Sequence, residues 1–440
     1  MTTLTSPLRI LHLITSLDPA GGGPAQGVRN ITACYGALGA VPTVVSLDAP
    51  DAPWLDIGHA RAIGLGPAHL GYAYAPRLLP WLHAQAGSFD AAVVHGLWQY
   101  PGVAARRALR AAGVPYFVYP HGMLDPWFRH EYPLKHVKKC LYWWLAQHAV
   151  LRDAAAVLFT CEEERRLARE SFWPYRVREA VVNYGTTLPA GVRPEQRDAF
   201  LAAFPATRGQ RLLLFLGRIH EKKGCDLLID AFAEAAGREP TLHLVMAGPD
   251  QTGWQANLQR RAADRGVAGR ITWTGMLQGD LKWGALQAAE AFVLPSHQEN
   301  FGIAVAEALA VGTPVLISDK VNIWREIEAD GAGLVAPDTC DGTASLLQRW
   351  LALAPQARRQ MGERARDCFA QRFEMRRAVE NLLAVIRAAR GPRRREALPT
   401  DANPAAGKRI GIAKGNFKAP DDIDAHNDDA AKALLGEKDA

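Results

Sequence analysis

Two glutamates, Glu299 and Glu307, stand with seven residues between them in Val293-Leu-Pro-Ser-His-Gln-Glu-Asn-Phe-Gly-Ile-Ala-Val-Ala-Glu-Ala-Leu-Ala-Val-Gly-Thr-Pro-Val-Leu-Ile-Ser318. A helical turn takes about 3.6 residues, so the second carboxylate lies about two turns beyond the loop that holds the first. Between them the amides of Asn300, Phe301, Gly302 and Ile303 open a helix, whose unpaired N–H groups and partial positive charge suit an anion. Such a site can hold a phosphate while its carboxylates accept hydrogen bonds from hydroxyls, the chemistry of a nucleotide sugar. Two solvated glutamates on a surface helix would show the same spacing.

A second group of chemically capable residues lies in Arg211-Leu-Leu-Leu-Phe-Leu-Gly-Arg-Ile-His-Glu-Lys-Lys-Gly224, where Gly217 and Gly224 bracket Arg218, Lys222 and Lys223. Arg can fork onto a phosphate and Lys adds a point charge, so Arg218 and Lys223 suit a diphosphate leaving group. The alternative is a solvated basic turn. In the first half, His121 follows Tyr119-Pro120 in a tight loop where a strand stops, and His95 ends another strand. A neutral imidazole at either place can donate to a sugar hydroxyl, or can simply be satisfied by a backbone carbonyl. Gly21, Gly22 and Gly23 let the backbone approach a ligand, although three glycines in a row also serve as an ordinary turn.

The elements that must position these residues alternate strand and helix. Apolar runs at Leu8–Ile14, Val41–Leu47, Phe89–His95, Pro115–Tyr119, Val157–Thr160 and Ala180–Asn183 predict strands, and the pattern restarts at Arg211, Thr241, Arg270, Val293 and Val315, with a last strand entered at Gly331. Strands alternating with helices imply parallel sheets with ligands outside the carboxyl ends of the strands. The loop Gly275-Met276-Leu277 is placed to cover a base. The polar stretch Pro189–Ala206 reads as a linker, and the stretch from Ala357 to Arg390 as helix that crosses back to the first half. After Arg390 the composition shifts to a basic and then acidic tail, in which Ile-Gly-Ile-Ala-Lys-Gly-Asn-Phe-Lys resembles the tails of small antitoxin proteins.

The 440 residues allow two or three domains, and 48% hydrophobic with 22% charged residues is ordinary for a globular chain. There is no apolar run of about 18 residues and no leader pattern, so a cytoplasmic location is the expectation. Six cysteines without CxxC or Cys/His spacing imply reduced thiols and no zinc site. The net charge of +6 fits an anionic partner without choosing one. From Trp127 to Leu145, Arg129, Lys135, Lys138 and Lys139 are interleaved with Trp127, Phe128, Tyr142, Trp143 and Trp144. This suits either an anionic membrane surface or lipid-phosphate acceptor, or an amphipathic helix on the sheet with a solvated basic edge.

Gly217-Arg218 with Lys223-Gly224, Glu299-Asn-Phe-Gly-Ile-Ala-Val-Ala-Glu307 and the following Ala308-Leu-Ala-Val-Gly-Thr-Pro314 resemble the large retaining glycosyltransferase family 4, over residues 8 to 390. The resemblance implies an α/β GT-B fold, two Rossmann-like doubly wound parallel-sheet domains facing across a cleft. The domains are expected at 1–205 for the acceptor and 206–372 for the donor, with a returning helix at 373–390 and a tail at 391–440. It implies that Arg218 and Lys223 bind the donor diphosphate, that Glu299 meets the transferred sugar and that Glu307 holds the ribose. Asn300, Phe301, Gly302 and Ile303 would meet sugar or phosphate, His121 would line the sugar site, and Gly22, Gly23, Gly217 and Met276 would close on the donor. Asn300 stands where the family often has glycine. The resemblance further implies no metal and no cofactor beyond the nucleotide-sugar donor; with the basic-aromatic stretch it leads to the expectation of a sugar or lipid-linked glycan acceptor and peripheral contact with the inner face of an anionic membrane, and no nucleic-acid partner is expected. A GT-B-like epimerase or synthase with a soluble acceptor, and a non-catalytic binding protein, are the rival readings.

Overall fold

The computed structural model describes residues 6–390, apart from 20–22, 70, 132, 189–191 and 251. Gly22 and the tail at 391–440 therefore lie outside the described residues. The first sheet holds β1 (Leu8–Leu13), β2 (Ala40–Ser46), β3 (Arg61–Gly64), β4 (Ala91–His95), β5 (Tyr116–Tyr119), β6 (Ala156–Phe159) and β7 (Glu179–Val181) in the order β3-β2-β1-β4-β5-β6-β7. The second holds β8 (Arg211–Leu216), β9 (Leu242–Ala247), β10 (Ile271–Gly275), β11 (Ala291–Leu294), β12 (Val315–Ser318) and β13 (Gly333–Ala336) in the order β10-β9-β8-β11-β12-β13. All pairs are parallel, with Leu8 opposite Ala40 and Arg211 opposite Leu242. Helices cover both faces of such sheets, which is why β4, β5, β6, β9, β11 and β12 are buried along their whole length. In each sheet the order reverses between the first strand and the fourth, and that switch point opens a crevice at the carboxyl ends.

The helix Met375–Arg390 returns from the second domain to the first. Met375, Ala378, Val379, Leu382, Leu383 and Ile386 recur at helical spacing and are all buried. All of them but Ala378 join one core cluster with Leu8, Ile10, Ile31 and Tyr35 of the first domain. The ion pair Arg390–Asp90 at 2.8 Å fixes the end of the helix. Burial of each large aliphatic side chain is worth about 1.5–3 kcal/mol, against about 0–1 kcal/mol for an ion pair near the surface. Apolar burial therefore governs how this helix is held.

The stretch read as a linker behaves differently. Within it, Pro194–Ala203 is a helix with Phe200 fully buried, and Gln196 donates to Asp280 Oδ1 at 2.9 Å. It packs so closely on the helix Gly279–Ala288 that a Cβ at Gly284 would sit 2.0 Å from the Gln196 carbonyl. Proline at the first helical position starts a helix as readily as it marks a loop. This segment therefore belongs to the second domain's outer layer, and the expected boundary at 205 falls after it. The stretch from Trp127 to Leu145 is also not a helix lying apolar side down on the sheet. Trp143 is in the core, but Leu134, Val137, Leu141, Trp144 and Leu145 face outward. Among the described residues no helix is long and apolar enough to cross a membrane.

Where β1, β4 and β5 end side by side, three histidines form a hydrogen-bonded file. Tyr35 Oη lies 2.8 Å from His12 Nε2, His12 Nδ1 lies 2.9 Å from His95 Nε2, and His95 Nδ1 lies 3.0 Å from His121 Nε2. Burial depresses His12 to a pKa of about 3 and His121 to about 4; His95 is also pushed down, by burial and then by its two neighbours. All three rings are neutral near pH 7. Burial pushes the Tyr35 phenol up, so it keeps its proton, and its only hydrogen bond among the described residues is the one to His12. With the phenol assigned as donor, which satisfies its O–H, each ring passes its own N–H along the file and Nδ1–H is left as the remaining donor of His121.

Two outcomes follow from this packing. Leu383→Ala should cost about 2–5 kcal/mol in urea unfolding, the usual cost of a core leucine truncated to alanine, and a loss under 1 kcal/mol would mean the helix is not welded to the core. For the histidines the folded pKa lies below the ordinary 6.5, so between those values the unfolded chain binds protons the folded chain refuses. Their contribution is intact above about pH 7 and is lost as pH falls from about 6.5 toward 4, by up to roughly 1.4 kcal/mol per pH unit for each ring. An unfolding midpoint that stays flat across that window would show that the rings accept protons in the folded state.

Candidate functional site

On the second domain, two loops at the carboxyl ends of adjacent strands meet. The loop after β8 runs through Gly217 and Arg218 to a short turn at Glu221–Lys223 and the left-handed Gly224, φ +63°. Gly224 is required here, because a Cβ would lie 2.2 Å from the Pro295 carbonyl of the neighbouring loop after β11. The amide of His297 and the hydroxyl of Ser296 both donate to the Lys222 carbonyl at 2.9 Å. The backbone of Glu299 is clamped by the segment after β12, donating to the Lys320 carbonyl at 2.9 Å and accepting from the Asn322 amide at 3.0 Å. Glu299 is thereby held beside Lys223, with which it forms an ion pair. Burial alone would raise the Glu299 pKa, but Lys223, and then Lys222 and Arg218, outweigh it and keep the carboxylate ionised. Lys222 shows the reverse strain, its pKa lowered by burial and by its two cationic neighbours against the pull of Glu299 and Asp125.

The first domain supplies the facing wall. His121 and Gly122 both adopt positive φ, +51° and +77°. The Gly122 amide donates to Glu164 Oε1, and the amide and hydroxyl of Thr160 donate to Glu164 Oε2, each at 2.7 Å. Glu164 is buried, which pushes its pKa up, while these donors pull the other way. Asn300 comes so close that a Cβ on Gly122 would lie 2.8 Å from its side chain. Its amide nitrogen reaches Thr160 Oγ1 at 3.3 Å, and Asn322 donates back to its oxygen at 3.4 Å. Gln298 donates to Asp125 Oδ2 at 2.9 Å, Arg325 pairs with Glu163 at 2.9 Å, and Lys222 lies over the Trp127 and Phe128 rings. The cleft is therefore closed by polar contacts between the domains.

The cavity between these two walls has a volume of about 500 Å³. It brings together nearly all the expected residues: Gly23, His121, Gly217, Arg218, Lys223, Glu299, Asn300, Phe301, Gly302 and Ile303 line it. Glu307 does not. It is buried one helix face away and takes an ion pair from Lys282 at 2.7 Å. Met276 is also outside, 64% exposed on the loop after β10. Sequence reasoning did not single out Glu164, Thr160, Gln298, Asp125 or His12. Glu164 sits in an acidic run that suits any helix start, and its role depends on two loops distant in sequence. The arrangement can hold an anion against cations and a helix N-terminus, present an ionised carboxylate to hydroxyls, and offer a neutral N–H donor from the opposite wall.

Comparison with known proteins gives a consistent result. The glycosyl transferase 4-like domain model matches residues 22–185 and the glycosyl transferases group 1 model matches 196–367, one on each side of the cleft. A D-inositol 3-phosphate glycosyltransferase of Saccharomonospora viridis is 32% identical over 206 residues, 45% of this chain but only 47% of the relative, so the match spans about half of that protein. A GDP-mannose:cellobiosyl-diphosphopolyprenol alpha-mannosyltransferase of Xanthomonas campestris is 26% identical over 403 residues, 89% of this chain and 100% of the relative. Among solved structures, Anabaena HepE in complex with UDP superposes with a TM-score of 0.70 at 17% identity, covering 87% of this chain and 100% of that one. WaaG, a glycosyltransferase involved in lipopolysaccharide biosynthesis, gives 0.60 at 17% identity over 86% and 99%. The chain belongs to the group 1 glycosyl transferases of glycosyltransferase family 4 and has their two-domain GT-B fold.

Proposed function

We propose that the protein transfers a glycosyl unit from a nucleotide-diphosphate sugar to an acceptor hydroxyl, with retention at the anomeric carbon and without a metal ion. The observation that carries this reading is the single cavity in which Arg218, Lys222 and Lys223 face Glu299, with His121 on the opposite wall. Breaking the bond to a diphosphate builds negative charge on the leaving group, and preorganised cations in a sheltered site stabilise that charge more in the transition state than in the ground state. Arg218 and Lys223 take that role, aided by the amides that begin the helix at Ile303. Glu299, ionised, accepts hydrogen bonds from the sugar and cannot serve as an acid. His121 donates Nδ1–H to a sugar oxygen. The incoming hydroxyl attacks the face that the diphosphate leaves, and the departing phosphate oxygen takes its proton. Glu307 keeps the ribose-holding role that the family resemblance gives it, although it stands outside this cavity and is paired with Lys282. The acceptor is a glycan on a lipid diphosphate, a reading supported by the full-length match to the Xanthomonas campestris mannosyltransferase.

A panel of UDP-, GDP- and ADP-sugars, scored by thermal shift and nucleotide release, identifies the donor. With that donor, Arg218→Ala, Lys223→Ala and Glu299→Ala should each lower kcat/KM by about 10²–10³, the usual loss for one preorganised charge-stabilising group. Undiminished transfer in the first two would sink the assignment, and an inverted product anomer by NMR would remove the retaining mechanism. Gly122→Ala should separate donor binding from catalysis. Its Cβ would meet Asn300 at 2.8 Å on a residue with positive φ, so closure is impaired while the second-domain cations stay in place. The expected result is a kcat reduced about tenfold or more with the donor-induced thermal shift retained; equal loss of both would mean the domains do not close independently of donor binding.

A further inference from the structure

Two more cavities continue along the first domain from the one just described. The nearer, about 310 Å³, shares Met123 and Phe128 with the donor cavity and is walled by Arg129, Lys135, His136 and Lys139. Asp125 is its single acid among the described residues, and both its oxygens are engaged, by the Trp127 amide and by Gln298, each at 2.9 Å. Lys139 is drawn inward, its ammonium 5.1 Å from the Trp98 ring and 5.4 Å from Phe128. Burial lowers the His136 pKa, and the nearby Arg129 and Lys139 add to that lowering. Beyond it, an open groove of about 810 Å³ shares Arg129, His136 and Phe172, and its lining adds Trp173 together with Arg169, Glu170, Arg176 and Glu179.

Trp173 is 77% exposed and rests on Trp144, with ring centroids 5.6 Å apart. Trp144 belongs to the outward stripe Leu134, Val137, Leu141, Trp144 and Leu145, every member at least 60% exposed. Large apolar side chains normally turn inward, and a contiguous exposed group of this size marks a surface that meets lipid or another apolar partner. Lys135 and Lys138 stand exposed beside the stripe, the arrangement that suits an anionic bilayer interface. Read outward from the donor cavity, the lining is polar and sugar-sized, then cationic, then a groove of mixed charge in which Trp173 leads to the apolar stripe through Trp144. That is the order of groups along a sugar joined through a diphosphate to a lipid.

We infer that the cavity walled by Arg129, Lys135, His136 and Lys139 binds the diphosphate of a lipid-borne acceptor, whose hydrocarbon chain passes over Trp173 and Trp144 into the bilayer. The inference rests on the glycosyl-transfer reading above and deepens its acceptor side. Arginine and lysine together match a diphosphate, which offers more acceptor oxygens and more charge than a single carboxylate.

The test uses the full chain and three vesicle compositions: phosphatidylcholine alone, phosphatidylcholine with phosphatidylglycerol, and phosphatidylcholine with polyprenyl diphosphate. Co-sedimentation should favour the polyprenyl diphosphate vesicles over phosphatidylglycerol vesicles. Arg129→Ala with Lys135→Ala should abolish that preference by about tenfold or more, and Lys135→Arg should keep it. Leu141→Ser with Trp144→Ser should weaken binding to all three compositions. Equal binding of phosphatidylglycerol and polyprenyl diphosphate by the native protein would overturn the inference in favour of general membrane attraction. Full competition by inorganic pyrophosphate, with no gain from the lipid, would overturn the lipid path. The donor-induced thermal shift, read on the same variants, keeps the two readings apart: its absence from the native protein would refute the glycosyl-transfer reading, whereas its presence without a diphosphate preference refutes only this site.

Discussion

Three cations crowd the second-domain end of one cavity, and Glu299 is the anion that lets them remain charged together. Two like charges about 6 Å apart repel by roughly 3 kcal/mol at an effective dielectric near 20. The pKa of Lys222 is lowered by burial first and by that repulsion in addition, and the ionised state of Glu299 reflects the pull of the same cations. The loops cannot drift apart to relax it, because the Lys222 carbonyl is bonded to Ser296 and His297 and Gly224 packs against Pro295. In the proposed reaction the diphosphate brings a further anion to this cluster, with Lys223, the ion-pair partner of Glu299, beside it.

Such a cluster works only if the facing wall is held at the right distance, which depends on the two segments that cross between the domains. The returning helix Met375–Arg390 shares a core with β1, and its neighbour Phe373 accepts the Thr186 amide at 3.0 Å while Met375 donates to the Thr186 carbonyl at 3.2 Å. These contacts join the domains just behind the cavity, where Phe373 packs on the cavity-lining Phe301 with ring centroids 5.7 Å apart. Contacts at the cavity itself are mostly hydrogen bonds and ion pairs, Gln298 to Asp125, Asn300 to Thr160 and Arg325 to Glu163. Each is worth about 1 kcal/mol net, far less than the apolar burial behind them. The fold thus combines an apolar join at the back with a polar front that costs less to separate, as donor entry and product release in the proposed transfer would require.

The strands and both charged loops were legible in the sequence because each central strand is an unbroken apolar run and each loop is bracketed by glycines. β3 was not. Arg61-Ala-Ile-Gly64 is a short edge strand with Arg61 exposed, and nothing apolar sets it apart from loop. The helix Pro194–Ala203 was misread for a related reason, since proline, arginine and alanine describe a linker and a helix start equally, and only the burial of Phe200 decides between them. Glu307 shows the limit of spacing. Two turns along a helix fixes which way it points but not that Lys282, on a neighbouring helix, meets it there. The histidine file is a fact of sheet order. His12, His95 and His121 lie far apart in sequence and become neighbours only because β1, β4 and β5 are adjacent.

That file also explains why the charge of the cavity is so uneven. In the proposed transfer, the sugar carbon gains positive character as the diphosphate leaves, in the manner of other reactions that break glycosidic bonds. A protonated imidazole beside that carbon would oppose the reaction, while a neutral one can still donate a hydrogen bond to a sugar oxygen. With a pKa of about 4, His121 is neutral at physiological pH, and Tyr35 at the far end of the file selects the tautomer that leaves Nδ1–H as its remaining donor. Positive charge is thus concentrated where the leaving group departs and again in the basic cavity beyond Phe128. Between them, where the new bond forms, the first-domain wall carries no positive charge from His121. One buried tyrosine and two buried histidines, none of them in the cavity, set the electrostatic character of the group that faces the reacting carbon.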